Sequence, residues 1–255
     1  MVSPADALLV SGGSEERRRF MDSVIAQYDA DYLGRLIRYD KALRQRNAIL
    51  RREDTAPDWE VVGVLEDIMS EEADGIFQGR QTFVKEFVPI FKDLYQQLCD
   101  NQAEATMVDV EYLSHISRGP LKPQLTVGRE KERIVGYTLH GIHKDDLLLQ
   151  LGGYPLSKEG SQGQTKTYVI AMKLAQFQFL KQRGRQQVPL LLLDDIFDRL
   201  DAGRVQRLVS YVAGDSFGQI FITDTNRQHL DEILTTTQHD YRLFTVNQGT
   251  VKVHS

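Results

Sequence analysis

Leu190-Leu191-Leu192-Leu193-Asp194-Asp195 is an apolar run of strand length closed by two acids. Such a run is expected of a strand buried in a parallel sheet, and ligands bind at the carboxyl edge of such sheets in open α/β folds. Strand and helix patterns alternate around it. Residues 147–151 and 154–156 flank Gly152-Gly153 as a hairpin, 162–182 has a helical period, 189–193 is the buried strand, 202–212 is helical and 219–223 is a further apolar strand. This order predicts an α/β lobe with a mainly parallel sheet flanked by helices. A last hairpin, 241–246 and 250–253 around Asn247-Gln248-Gly249, is expected to add an edge to it. Before the lobe, Met107, Val108, Val110 and Tyr112 alternate as a strand, and Gly119-Pro120 turns into a helical connector.

The first third reads as helix. Ser14 is expected to cap a helix in which Phe20, Met21, Val24, Ile25 and Tyr28 recur at helical spacing. A second helix, about 31–52, carries Leu36, Leu43 and Leu50 on one stripe and Arg35, Arg38, Lys41, Arg44, Arg51 and Arg52 around it. After Pro57 a long helical region spans 59–98, with Ile68, Met69, Ile76, Phe77, Val84, Phe87, Phe91, Leu94 and Leu98 as expected core and Gly75 and Gly79 as expected bends. The division that follows is an all-helical arm, 1–104, and an α/β lobe, 105–255.

Two carboxylates at a strand edge suit nucleotide chemistry. Asp194 would hold Mg²⁺ directly or through water, and Asp195 could orient or deprotonate an attacking water. The alternative is a strand that ends in solvent-facing acids. Two further features bear on the choice: Asp198-Arg199-Leu200-Asp201 follows the acids closely, and Ser161-Gln162-Gly163-Gln164 opens the long helix upstream. A serine and an unhindered glycine turn at a helix amino terminus suit a phosphate tail.

In this order and spacing the three elements resemble the signature motif, Walker B strand and D-loop of the ABC-type ATPases. Within that superfamily the chain resembles the RecF family. The resemblance is carried by SQGQTKTYVIAMKLAQ (161–176), PLLLLDDIFDRLD (189–201), the Gly141 to Asp146 element GIHKDD, and SEERRRFMD (14–22) with YDKALRQRNAIL (39–50) in the arm. It implies an ABC-type α/β lobe with an inserted helical arm. It also implies ATP and Mg²⁺ as cofactors, with Asp195 catalytic, Asp194 on the metal, Ser161, Gln162, Gly163 and Gln164 facing nucleotide held by a second subunit, and Asp198 and Asp201 in the D-loop. Double-stranded DNA at gap junctions, a RecR-type mediator and an ATP-dependent homodimer are the implied partners, in recombinational repair, replication restart and SOS induction. No GxxxxGK[ST] phosphate loop occurs. The match is therefore to the carboxy-terminal two thirds of such a protein, whose full-length form is expected to be a slow DNA-dependent ATPase, and this chain alone is expected to be inactive. Thr223-Asp224-Thr225 stands where transporter relatives place a switch histidine, and Ile142 and Lys144 replace the family's Pro and Arg.

Composition limits the other classes. The longest apolar stretch, 188–193, is far too short to span a membrane, a secretory signal is not recognisable, and Cys99 has no partner for an intrachain disulfide, so a cytoplasmic setting is expected. The net charge of -5 means that DNA contact must come from a local patch. Arg35, Arg38, Arg44, Arg51 and Arg52 form the densest one, a solvated face being the alternative. Arg17, Arg18 and Arg19 are read as ion-pairing to the lobe rather than to DNA, His143, Asp145 and Asp146 as structural or nucleotide-proximal rather than metal-binding, and Cys99 as buried. A non-catalytic helical module or a chromosome-organising head is the competing function class; such heads carry far longer coiled-coil arms than the helices before residue 105.

Overall fold

The computed structural model describes residues 1–52, 54–99, 101–183, 190–197, 200–214, 217–225 and 240–254. In chain order the elements are α1 (Leu8–Ser11), α2 (Ser14–Ile25), α3 (Ala30–Leu50), α4 (Trp59–Leu98), α5 (Gln102–Ala105), β1 (Val108–Leu113), α6 (Leu121–Val135), β2 (Asp146–Leu151), β3 (Tyr154–Pro155), α7 (Leu156–Glu159), α8 (Gln162–Arg183), β4 (Leu191–Asp194), α9 (Ala202–Val212), β5 (Ile220–Thr223), β6 (Leu243–Asn247) and β7 (Thr250–His254). Asp198, Arg199 and Pro189, all part of the sequence expectations, lie outside the described residues.

Local chemistry sets the helix starts. The Asp29 carboxylate accepts from the Tyr32 amide at 2.9 Å to open α3, and Asp58 accepts from the Glu60 and Val61 amides at 3.0 and 3.2 Å to open α4. Ser14 is not a cap: Gly13 holds that position and Ser14 is the first helical residue, its hydroxyl accepting from Arg18 at 2.8 Å. α4 is one helix of 40 residues, about 60 Å long at the usual rise. Its first half packs on α3, and its second half enters the lobe and packs on α2 and α8, where Phe20, Phe83, Phe87 and Phe179 meet edge to face and tilted.

Gly75 and Gly79 do not interrupt α4. A Cβ on Gly79 would stand 2.7 Å from the Tyr32 ring and one on Gly75 2.7 Å from the Arg35 side chain, so the two glycines, one helical turn apart, let α3 approach closely. The buried stripe of α3 also differs from the expected one. It runs through Tyr32, Tyr39, Ala42, Arg46 and Leu50, with Leu36 and Leu43 only partly buried, and Ile68 of α4 faces solvent.

Two fully buried arginines tie the helices to the rest. Arg46 of α3 meets Glu66 of α4 at 2.8 Å and Glu132 of α6 at 2.6 Å, while Arg80 of α4 meets Asp22 of α2 and Asp145 before β2, both at 2.9 Å. Removing one partner of such a pair strands a charge in the interior, at a cost of about 3–5 kcal/mol.

Among the described residues the strands form three sheets. β1, β2 and β3 are antiparallel, with Val108 opposite Leu151 and Leu113 opposite Asp146, and alternate residues Val108, Val110, Leu147 and Leu149 buried. The parallel part is β4 beside β5, with Val2 bridging the other side of β4 through Val2 N to Leu192 O (2.7 Å) and Asp194 N to Val2 O (2.9 Å). β4 is thus the central strand of that sheet. β6 and β7 pair only with each other among the described residues, so the last hairpin adds no edge to the parallel strands; Phe244, Val246, Val251 and Val253 share its exposed face.

Candidate nucleotide edge and its helical arm

β4 brings its two acids to the carboxyl edge of the parallel strands. Thr223, opposite Asp194 on β5, donates its hydroxyl to Asp194 Oδ1 at 2.5 Å, and the Asp195 amide donates to Thr223 O at 3.1 Å. Asp195 has φ +48°, a left-handed conformation uncommon for a side-chain-bearing residue, and the chain then turns inward to bury Ile196 and Phe197. The carboxylates stay half-exposed. Among the described residues no cluster of three or more acidic, histidine or cysteine side chains could hold a metal unaided. Two carboxylates and a hydroxyl still fit Mg²⁺, a hard ion that is commonly held by one or two carboxylates and completed by water and substrate phosphates.

The Ser161–Gln164 turn is a reciprocal cap on α8. Gln164 N donates to Ser161 Oγ at 3.2 Å and Ser161 N donates to Gln164 Oε1 at 2.9 Å. Ser161 and Gln162 are exposed. The other face of Gln164 donates from Nε2 to Glu104 Oε2 at 3.0 Å. Asp201 caps α9 by accepting from Arg204 N at 2.9 Å, and the Arg204 guanidinium reaches Asp201, Glu104 and the Thr167 hydroxyl. Sequence reasoning missed Glu104, Arg204, Thr167 and the Asp194 contact of Thr223. The contacts that bring them in, Glu104 to Gln164 and Arg204, Arg204 to Thr167, and Thr223 to Asp194, span distant parts of the sequence, and no local motif marks them.

The Gly141–Asp146 element is a clasp. Asp146 pairs with Arg17 through both oxygens at 2.6 and 3.0 Å, Arg18 donates to the Asp145 carbonyl at 2.7 Å, and the Asp145 carboxylate takes Arg80 and the Tyr112 hydroxyl. Arg19 pairs with Glu15 and Glu16 on its own helix. His143 Nε2 donates to Thr138 O at 3.2 Å, so Nδ1 accepts from the Tyr39 hydroxyl at 2.8 Å. Burial pushes its pKa down to about 3, which keeps it neutral. Gly141 has φ +133°, and a Cβ there would lie within contact-forbidden range of the Tyr39 hydroxyl, so the glycine is required on both counts. Cys99 is buried, and burial raises its thiol pKa.

The basic residues of α3 fall into two groups. Arg35 and Arg38 turn toward α4 and pair with Glu72, Arg38 through Nε at 2.5 Å. Arg44 pairs with Asp40 one turn away and stays four-fifths exposed, while Arg51 and Arg52 are exposed at the end of the helix and make no ion pair among the described residues. Arg46, which the helical pattern did not single out, is buried.

A parallel strand ending in paired acids, a capped turn opening a long helix and an arm helix that runs into the lobe define the fold class: an α/β lobe of the ABC-ATPase-head fold with a helical arm. A solved structure described as the recombination mediator protein RecF-ATPrS in the RecFOR pathway superposes with TM-score 0.79 at 21% identity, covering 100% of this chain and 67% of its own. An Smc head with an extended coiled coil from Pyrococcus furiosus shares the fold more distantly, with TM-score 0.52 at 14% identity over 98% of this chain and 60% of that one. No family model matches the chain. A curated DNA replication and repair protein RecF from Phocaeicola vulgatus is 53% identical over 251 residues, 98% of this chain and 67% of the relative. Its counterpart from Porphyromonas gingivalis is 46% identical over 254 residues, 98% of this chain and 68% of the relative. The chain belongs to the RecF family of DNA replication and repair proteins, and it spans about two thirds of the length of these relatives.

Proposed function

We propose that the chain acts as the carboxy-terminal two thirds of an ATP-dependent recombination mediator that binds double-stranded DNA at gap junctions and pairs with a second copy around nucleotide. The observation that carries this is the oxygen-lined edge of β4, where Asp194, Asp195 and Thr223 stand together beyond a buried parallel strand. Bound Mg-ATP would supply the phosphoanhydride and the charge that draws these acids into use. Asp194, fixed by Thr223, would hold the metal. Asp195, set apart from its neighbour by a left-handed backbone, orients and deprotonates water. Ser161 to Gln164 present a hydroxyl and backbone amides to the phosphate tail held by the other subunit, and Asp201 at the start of α9 belongs to the same junction, with Asp198 keeping the D-loop role that the resemblance implies.

Arg44, Arg51 and Arg52 are the arm residues best placed to meet DNA phosphates, since Arg35 and Arg38 are already engaged with Glu72. A RecR-type partner, a role in replication restart and SOS induction, and a cytoplasmic setting belong to the same proposal. No described helix is long and apolar enough to cross a membrane. The arm's two long helices, of 21 and 40 residues, are far shorter than the coiled coils of a chromosome-organising head, which favours this reading.

The test joins the chain to the remaining third of the Phocaeicola vulgatus relative. The joined protein should hydrolyse Mg-ATP slowly and faster with gapped DNA, and Asp195→Asn should keep nucleotide affinity while losing turnover by about 10²-fold or more. Equal loss of affinity and turnover would move Asp195 out of the proton-transfer role. The chain alone should show neither tight ATP binding nor turnover.

A further inference from the structure

We propose that Glu104 and Arg204 form a positioning pair that sets the Ser161–Gln164 turn relative to the cap of α9 and ties both to the arm helix α4. The naming of those two segments as the phosphate-facing turn and the D-loop end rests on the reading under Proposed function; the coupling itself rests on geometry.

Glu104 lies on α5, in the short link between the end of α4 and β1. Its Oε1 accepts from the Tyr95 hydroxyl of α4 at 2.7 Å and from Arg204 Nη2 of α9 at 3.2 Å, and its Oε2 accepts from Gln164 Nε2 of α8 at 3.0 Å. One carboxylate therefore bridges three helices. Burial works to raise its pKa, but hydrogen bonds from Gln164, Tyr95 and Cys99 together with Arg204 outweigh it, and the carboxyl is held below its ordinary range.

A carboxylate is required at this point. Gln164 spends its Oε1 on the Ser161 amide, so only its Nε2 is left to face Glu104. An amide at 104 could not accept on both sides. It would oppose a donor to Gln164 or to Arg204, or force Gln164 to flip and release Ser161. Arg204 makes a second connection. Its Nη1 donates to Thr167 Oγ1 at 3.0 Å, and that hydroxyl donates to the Gly163 carbonyl at 2.8 Å. The guanidinium thus reaches Gly163 through one side chain, Thr167, and Ser161 through two, Glu104 and Gln164, while its Nε pairs with Asp201 at 3.2 Å. Movement of α9 is passed to the turn, and movement of α4 reaches both through Tyr95.

Amide hydrogen exchange on the 255-residue chain tests this without nucleotide. Arg204→Met should speed exchange across 161–167 about fivefold, and Glu104→Gln should speed exchange at both 161–167 and 201–206, with 39–46 in α3 unchanged. The double variant should exchange at 201–206 no faster than Arg204→Met alone, because both substitutions cut the same link. Acceleration confined to the segment that carries the substitution, or additive effects in the double variant, would overturn the proposal. Should Glu104→Gln fail to fold, Arg204→Met decides alone, since its change is read on a different helix. Failure of ATP binding by the joined protein would count against the proposed function and leave this coupling intact.

Discussion

The contact between α3 and α4 makes the same substitution, Gly→Ala, a gain, nearly neutral or a loss at three points of one helix, Gly63, Gly75 and Gly79. In a helix interior the exchange ordinarily stabilises by about 0.8–1.0 kcal/mol, because alanine loses less backbone entropy. At Gly63 the new Cβ would meet only Arg129 Nη2 at 3.7 Å, an ordinary contact, so the full gain of about 0.5–1 kcal/mol is expected. At Gly75 it would crowd Arg35, but that side chain is a third exposed and can swing away, giving up a 3.4 Å pair with Glu72; the net should be near zero.

At Gly79 the Cβ would stand 2.7 and 2.9 Å from Cδ2 and Cε2 of Tyr32. That ring is buried and its hydroxyl is held by Asp22 at 2.5 Å and Arg80 Nε at 3.2 Å. It cannot turn aside without losing those bonds. Overpacking of this kind costs about 1–3 kcal/mol, and disturbing a hydrogen bond to a charged group adds about 1.5 kcal/mol, so after the propensity gain a net loss of about 2–3 kcal/mol is expected. Urea unfolding followed by far-ultraviolet circular dichroism should rank the variants Gly63→Ala, wild type with Gly75→Ala, then Gly79→Ala. In a Tyr32→Ala background the penalty at Gly79 should vanish. A Gly79→Ala protein as stable as Gly63→Ala would refute the close-approach account of α3 and α4.

Three further outcomes are expected. The His143 imidazole is neutral in the folded chain down to about pH 3, whereas an unfolded one takes up a proton near pH 6.5. Between those values the unfolded state binds more protons, so stability falls as pH drops. Urea midpoints for His143→Gln should escape about 1.4 kcal/mol of that loss per pH unit below 6.5, and equal pH dependence in both proteins would contradict a neutral buried ring. In the joined protein, neutralising Arg44, Arg51 and Arg52 should reduce the log-log salt slope of DNA binding by about 2–3, while the same treatment of Arg35 and Arg38 should chiefly lower stability; equal slopes would place the DNA surface elsewhere. Ser161→Arg puts bulk and charge at the exposed turn, and sedimentation with ATP should then show monomer with normal nucleotide affinity, a persisting dimer removing Ser161 from the junction.

Much of this molecule is determined by the sequence alone. The strand 191–194, the helix 202–212 and the glycine hairpin at 152–153 follow from period, caps and turn residues, all of which act within a few positions. The pairing of Asp194 and Asp195 at a strand end is legible for the same reason. What the tertiary structure decided is where polar groups spend their bonds. Glu104 meets Gln164 across 60 positions and Arg204 across 100, Arg80 meets Asp145 across 65, and Arg46 sits in an otherwise apolar stripe because Glu66 and Glu132 come to meet it. Gly75 and Gly79 look like breaks in a lone helix and become points of contact once α3 lies against them. Arg38, which the sequence alone offers as part of a basic patch, also pairs with Glu72 in the folded chain, because a buried carboxylate needs a partner. Periodicity records which face of an element is apolar; only the packed structure brings together the groups that neutralise one another.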